Sequence, residues 1–195
     1  SVRTYGDTIH SFIDRSDYHG AFAPGYRRIK RPAAAAGGLS LLEVDHCVGN
    51  VALGDMNRFV DYYRDAFGFS QLIHYDDKVI HTEYSALMSK VMTNGNGRIK
   101  FPINEPATGK KKSQIQEYIE FYRGAGVQHL ALLTHDIIAT VTALRSRGVE
   151  FLRVPTTYYD TLLDRVGTID EDLAPLKELG ILVDRDDEGY LLQIF

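Results

Sequence analysis

Apolar and polar positions along this chain follow two periods, and the switch from one to the other happens twice. From Val44, VDHCVGNVAL reads as a strand of β-branched and apolar residues; Met56, Val60, Tyr63 and Phe67 then fall on one face of a helix that Gly68 ends. From Val127, VQHLALLTHD opens the same way, Ile137, Val141 and Leu144 follow helical spacing, and Gly148 is the stop. A strand is expected after each helix, over residues 69–74 and 149–154. The first copy continues through strands expected at 83–93 and 98–104, which makes a β-α-β-β-β unit. The second continues through a loop with a short helix over 158–179, a strand at 181–183 and a last strand at 190–195, one strand short of the first copy. The pattern predicts an α+β fold of tandem β-α-β-β-β modules, because a repeat of this kind pairs its copies to bury a shared face.

Outside the repeat, residues 4–13 have a strand pattern and residues 1–19 are read as the tail of a preceding N-terminal domain. Residues 20–40 are rich in Pro, Gly and Ala with a small basic cluster, the composition of a linker. The expected main domain is 41–195, made of a module over 41–106, a connecting helix within 107–124, and a truncated module over 125–195. The acidic turn DRDDEG, residues 184–189, lacks the ligand spacing and closing glutamate of a calcium loop.

Composition narrows the class. A chain of 195 residues with 44% hydrophobic and 25% charged positions can bury a core of its own. A net charge of −4 points away from nucleic acid and from membrane surfaces as partners, and no apolar run approaches the roughly 20 residues of a spanning helix. Cys47 is the single cysteine, so no intramolecular disulfide forms, which fits a cytoplasmic location.

The chemistry follows from the repeat. His46 and His129 stand at the third position of the two matching strands. Pairing of the copies would bring those strands side by side, and alternation of side chains sets His46 opposite Asp45 and Cys47, and His129 opposite Gln128 and Leu130. Two imidazoles could then meet in one cup-shaped sheet as metal ligands. The competing reading is two core histidines with satisfied hydrogen bonds. His10, His19, His74, His81 and His135 lack the symmetry and are read as surface or loop residues. Two histidines with one carboxylate make the facial triad of non-haem iron(II) oxygenases, and no Asp or Glu here occupies an evident matching strand position.

The stretches DHCVGNV, EYSALMSKV, KFPINEPA, KKSQIQEYIEFYRGAGVQHLAL, TTYYDTLLDRVG, GILVDRDDEG and YLLQIF resemble the 4-hydroxyphenylpyruvate dioxygenase family of the vicinal oxygen chelate superfamily, from about Tyr5 to Phe195. The resemblance implies a glyoxalase–dioxygenase fold, a cup-shaped half-open barrel here without its last strand. It implies iron(II) as cofactor and conversion of 4-hydroxyphenylpyruvate and O₂ to homogentisate and CO₂ in tyrosine and phenylalanine catabolism. It implies a homo-oligomer in the full-length protein. His46 and His129 match the family's two iron histidines, and the third ligand, a glutamate, would lie beyond Phe195. The family's substrate pocket maps onto Ser89, Pro102, Asn104, Gln114, Gln128, Gln193 and Phe195. Amides and a hydroxyl suit a phenol and a carboxylate, and Pro102 and Phe195 suit the walls around an aromatic ring. Without the resemblance, Ser89 is a polar strand residue, Gln114 a helix-surface residue and Asn104 a turn former. A neighbouring family, 4-hydroxymandelate synthase, uses the same substrate and metal but tends to carry an aliphatic residue where Asn104 stands. A third possibility is a fragment that keeps the fold as a binding module without catalysis.

Overall fold

A computed structural model describes residues 1–29, 39–72, 80–82, 85–107, 112–185 and 189–195. The chain divides into two compact units, residues 1–30 with 44–132, and residues 31–43 with 133–195.

The first unit is built on one mixed sheet. Strands β3 (Leu41–Asn50), β4 (Ser70–Gln71), β5 (Ile80–Thr82), β6 (Ser85–Thr93), β7 (Lys100–Pro106) and β8 (Gly126–Thr134) form it in the order β4-β6-β7-β3-β8, with β5 paired to β6. β3 and β7 run parallel with Asn50 opposite Asn104, and β6 and β7 run antiparallel with Ser89 opposite Asn104. Helix α1 (Met56–Phe67) follows β3 and buries Met56, Val60 and Tyr63, the stripe its spacing predicts. Gly68 ends it at φ 67°, a left-handed turn that glycine adopts without steric cost. Helix α2 (Gln114–Tyr122) is capped by Ser113, whose hydroxyl accepts the Gln116 amide.

The two faces of this sheet differ. Tyr5, Val51, Met56, Val60, Tyr63, Met92 and Ile103 form one core cluster beneath α1. Tyr5 lies where a side chain at Gly49 would have to go, so glycine at 49 is what lets the first residues of the chain pack on the sheet. Alternation places Asn50, Asn104, Ser89 and Pro102 on the opposite face, along with His46 four residues before Asn50.

The expected strand over 4–13 is instead a hairpin of two short strands, β1 (Val2–Arg3) and β2 (Ile9–His10). Gly6, at φ 58°, lies in the turn between them. His10 is also not a surface residue. Its ring packs against Tyr63, Phe67 and Phe101, and its Nε2 lies 2.7 Å from the Tyr63 hydroxyl. His19 and His135 are exposed as expected, and the side chains of His74 and His81 lie outside the described residues. So do residues 30–38 of the expected linker and Glu188 of the acidic turn.

The second unit holds α3 (Ile137–Ser146), a 3₁₀ turn at Thr156–Tyr159, α4 (Leu162–Val166), α5 (Leu173–Leu179) and an antiparallel hairpin of β9 (Leu182–Arg185) and β10 (Tyr190–Gln193). Its core is Val141, Tyr159, Leu162, Val166, Leu176, Leu179, Ile181 and Val183. Asp136 caps α3 by accepting the Ala139 amide. The Tyr158 and Tyr159 hydroxyls donate to the Val183 and Ile181 carbonyls, tying the turn to the hairpin. Residues 149–154 do not form the expected strand. Leu152 donates one hydrogen bond to the Phe195 carbonyl, and Phe151 and Val154 pack on the core without a ladder around them. No helix of the described residues is long and apolar enough to cross a membrane.

Candidate metal centre

His46 and His129 come from hydrogen-bonded neighbouring strands, β3 and β8. Their rings stand 5.7 Å apart, centroid to centroid, at 71° to each other. Both belong to the first unit. Two ligands of one ion sit with nitrogens about 3 Å apart, and a centroid spacing of 5.7 Å is within the reach of such a pair.

The hydrogen bonds select the nitrogens. His46 Nδ1 lies 2.8 Å from Asp45 Oδ2, and His129 Nδ1 lies 2.8 Å from Gln128 Oε1. A carboxylate and an amide oxygen only accept, so each Nδ1 carries the proton and each lone pair sits on Nε2, the arrangement a metal-ligating histidine needs. Burial, with the neighbouring His46 adding to it, pushes the His129 imidazole below its ordinary value and favours the neutral ring. Asp45 Oδ1 accepts from Lys100 Nζ at 2.6 Å. Burial raises the Asp45 carboxyl, but the hydrogen bonds and charges of Lys100 and His46 outweigh it and hold the group below the ordinary carboxylate value.

The donor set fits part of a metal site. Two neutral imidazoles suit iron, zinc or copper. Among the described residues no cluster of three His, Cys, Asp or Glu completes them.

The pocket residues implied by the resemblance separate into groups. Ser89, Pro102 and Asn104 share the sheet face of His46. Asn104 is not a turn former but a buried strand residue; its Nδ2 donates to Asn50 Oδ1 at 3.4 Å. Asn50 is fully buried, and its Nδ2 has no hydrogen-bond partner among the described residues. Gln128 commits its amide oxygen to His129. Gln114 is exposed at the first turn of α2. In the second unit Gln193 donates to Asp184 across the hairpin at 2.6 Å, and Phe195 is exposed. Sequence reasoning missed Asp45, Lys100 and Asn50. The usable signal is that a hydrogen-bond acceptor precedes the histidine in both copies of the repeat.

The pattern of the Glyoxalase/Bleomycin resistance protein/Dioxygenase superfamily matches residues 43–194. The chain is 50% identical over 203 residues to a 4-hydroxyphenylpyruvate dioxygenase of Aspergillus fumigatus, covering all of this chain and 50% of the relative. It is 51% identical over 203 residues to one of Tetrahymena thermophila, again covering all of this chain and 50% of the relative. Among solved structures, a mutant of 4-hydroxymandelate synthase from Streptomyces coelicolor matches with a TM-score of 0.65 and 34% identity, over 84% of this chain and 46% of that one. The chain thus spans about half the length of the curated relatives it matches.

Proposed function

The chain belongs to the Glyoxalase/Bleomycin resistance protein/Dioxygenase superfamily, and from that premise we propose that it is the iron(II)-binding part of a 4-hydroxyphenylpyruvate dioxygenase. In this reading the parent protein converts 4-hydroxyphenylpyruvate and O₂ to homogentisate and CO₂, in tyrosine and phenylalanine catabolism in the cytoplasm, as a homo-oligomer. The observation that carries it is the pair of histidines at equivalent repeat positions, brought ring to ring at 5.7 Å with both Nδ1 atoms hydrogen-bonded. The identity of about half to dioxygenases from a fungus and a ciliate supports the substrate class.

His46 and His129 would hold the iron through Nε2, with the third ligand, a carboxylate, supplied by the parent protein beyond Phe195. Bound iron(II) would supply activation of O₂ and a chelating centre for a 2-oxo acid. The chain's own contribution is to orient and to exclude water. Asp45 and Gln128 hold the two Nδ1 protons. Ser89, Asn104 and Asn50 present a row of uncharged polar groups across three adjacent strands, suited to a phenol hydroxyl. A buried amide N–H without a partner, such as Asn50 Nδ2, is stabilised when a ligand oxygen accepts from it. Pro102 offers an apolar wall on the same face. Gln114, Gln193 and Phe195 belong to this pocket by resemblance.

Two other readings are tested by the same experiment. The structural likeness to a 4-hydroxymandelate synthase favours a synthase. The missing third ligand among the described residues favours a binding module. Oxygen uptake and product analysis on the parent protein separate the three. Homogentisate, lost in His129→Ala, supports the dioxygenase; 4-hydroxymandelate selects the synthase; substrate binding without oxygen uptake selects the module.

A further inference from the structure

We propose that Asp45, anchored by Lys100, is the positioning residue for His46: its carboxylate holds the Nδ1 proton and fixes the ring with Nε2 as the metal-facing nitrogen. The inference rests on the metal reading above, and it concerns residues that neither the repeat pattern nor the resemblance singled out.

Strand alternation directs Asp45 and His46 to opposite faces of β3. The Asp45 side chain nevertheless turns back, and one oxygen meets His46 Nδ1 at 2.8 Å while the other meets Lys100 Nζ at 2.6 Å. All three side chains are about two-thirds buried, with exposures of 28, 29 and 31% for His46, Asp45 and Lys100. Lys100 comes from β7, on the side of β3 away from β8, so the carboxylate is gripped from outside the histidine pair. With Lys100 holding one oxygen, Asp45 stays an acceptor for the ring and does not swing round to ligate an ion itself.

The second copy of the repeat solves the same problem differently. Gln128 stands where Asp45 stands and also reaches its histidine at 2.8 Å, but with a neutral amide. The two ligands therefore share a tautomer and differ in the charge behind them. A carboxylate behind an imidazole orients and supports it as a metal ligand more strongly than a neutral amide does, so the two histidines are backed differently, with Lys100 balancing the Asp45 charge.

The test uses the parent protein, with all three proposed ligands, labelled with ¹⁵N-histidine. Two-bond ¹H–¹⁵N spectra of the metal-free protein report which nitrogen carries each proton, and titration with cobalt(II) reports affinity through paramagnetic changes at His46 and His129. We expect Nδ1–H at His46 in the wild type. Asp45→Ala should lose that preference and weaken cobalt binding about 10- to 100-fold. Asp45→Asn retains an acceptor oxygen and should keep the tautomer with a smaller loss of affinity. Lys100→Met leaves the carboxylate unpinned and should give mixed His46 tautomers, which keeps the inference testable if Asp45→Ala does not fold. An unchanged tautomer and unchanged affinity in these variants, or cobalt signals showing Asp45 as a direct ligand, would overturn the proposal. If cobalt leaves both wild-type histidines unaffected, the metal reading fails instead, and the tautomer comparison still decides the role of Asp45.

Discussion

Glu105 Oε2 accepts the backbone amide of Met56 at 3.0 Å, so strand β7 holds the first turn of helix α1. The same oxygen accepts the Gly54 amide at 2.9 Å, and the side chain is buried. Asp55, at the helix cap position, makes no side-chain cap of its own. Glu105 supplies from the sheet what the local sequence leaves out, a negative group against the exposed amides of a helix start.

This predicts that Glu105→Ala destabilises the chain by about 1–3 kcal/mol, mainly the cost of leaving the buried Met56 amide without an acceptor. Glu105→Gln keeps one oxygen and should cost less. Chemical denaturation of the three proteins measures it; a loss below about 0.5 kcal/mol for the alanine variant would show that α1 does not depend on this contact.

Stability should fall as the pH drops through the histidine range, and His10 should be part of the reason. Burial among Tyr63, Phe67 and Phe101 lowers its folded value below the ordinary 6.5. The unfolded chain therefore takes up the proton first, at about pH 6.5, and folding loses free energy as pH falls below that point. Above it His10 contributes no pH dependence. Thermal unfolding between pH 8 and 5 should decline less steeply in His10→Phe than in the wild type. Parallel curves would remove His10 from the account.

Replacing Asn104 with leucine tests the pocket independently of the metal. Asn104 is paired with Asn50 and Ser89 on adjacent strands, and its side-chain amide donates to Asn50. In the parent protein, Asn104→Leu should reduce homogentisate formation by about 5- to 150-fold, matching about 1–3 kcal/mol for an unpaired polar group, while iron(II) affinity changes by less than about threefold. Equal loss of both would remove Asn104 from substrate contact.

The helices and strands of the first unit were readable because one period dominates each segment. Met56, Val60 and Tyr63 are buried at the spacing that marked them, and Gly68 takes the left-handed conformation expected of a stop. The pairing of His46 with His129 was readable because a repeat converts sequence position into spatial position. What the sequence left illegible depends on side chains that act against their local pattern. Residues 4–13 carry a strand's composition, yet Gly6 turns the chain and sends Tyr5 into the core against Gly49. Residues 149–154 carry one too, but among the described residues no strand forms around the Leu152 to Phe195 bond. Asp45 alternates away from His46 along the backbone and returns through its rotamer, held by Lys100 from a strand 55 residues later. Alternation describes where Cβ points; it does not describe where a charged tip settles.

The central claim is that His46 and His129 are two of three protein ligands to a catalytic iron, the third lying beyond Phe195 in the parent protein. Oxygen uptake with 4-hydroxyphenylpyruvate and iron(II), measured on the 195-residue chain and on the parent protein, tests it most directly. Two neutral imidazoles leave the ion without a protein anion, and losing a ligand should cost more than the roughly 10- to 100-fold typical of losing a supporting hydrogen bond. The account predicts tight iron binding and homogentisate from the parent protein, and little or no turnover from the shorter chain. Comparable turnover by both would mean that a carboxylate already within these residues completes the site, and would contradict the ligand assignment.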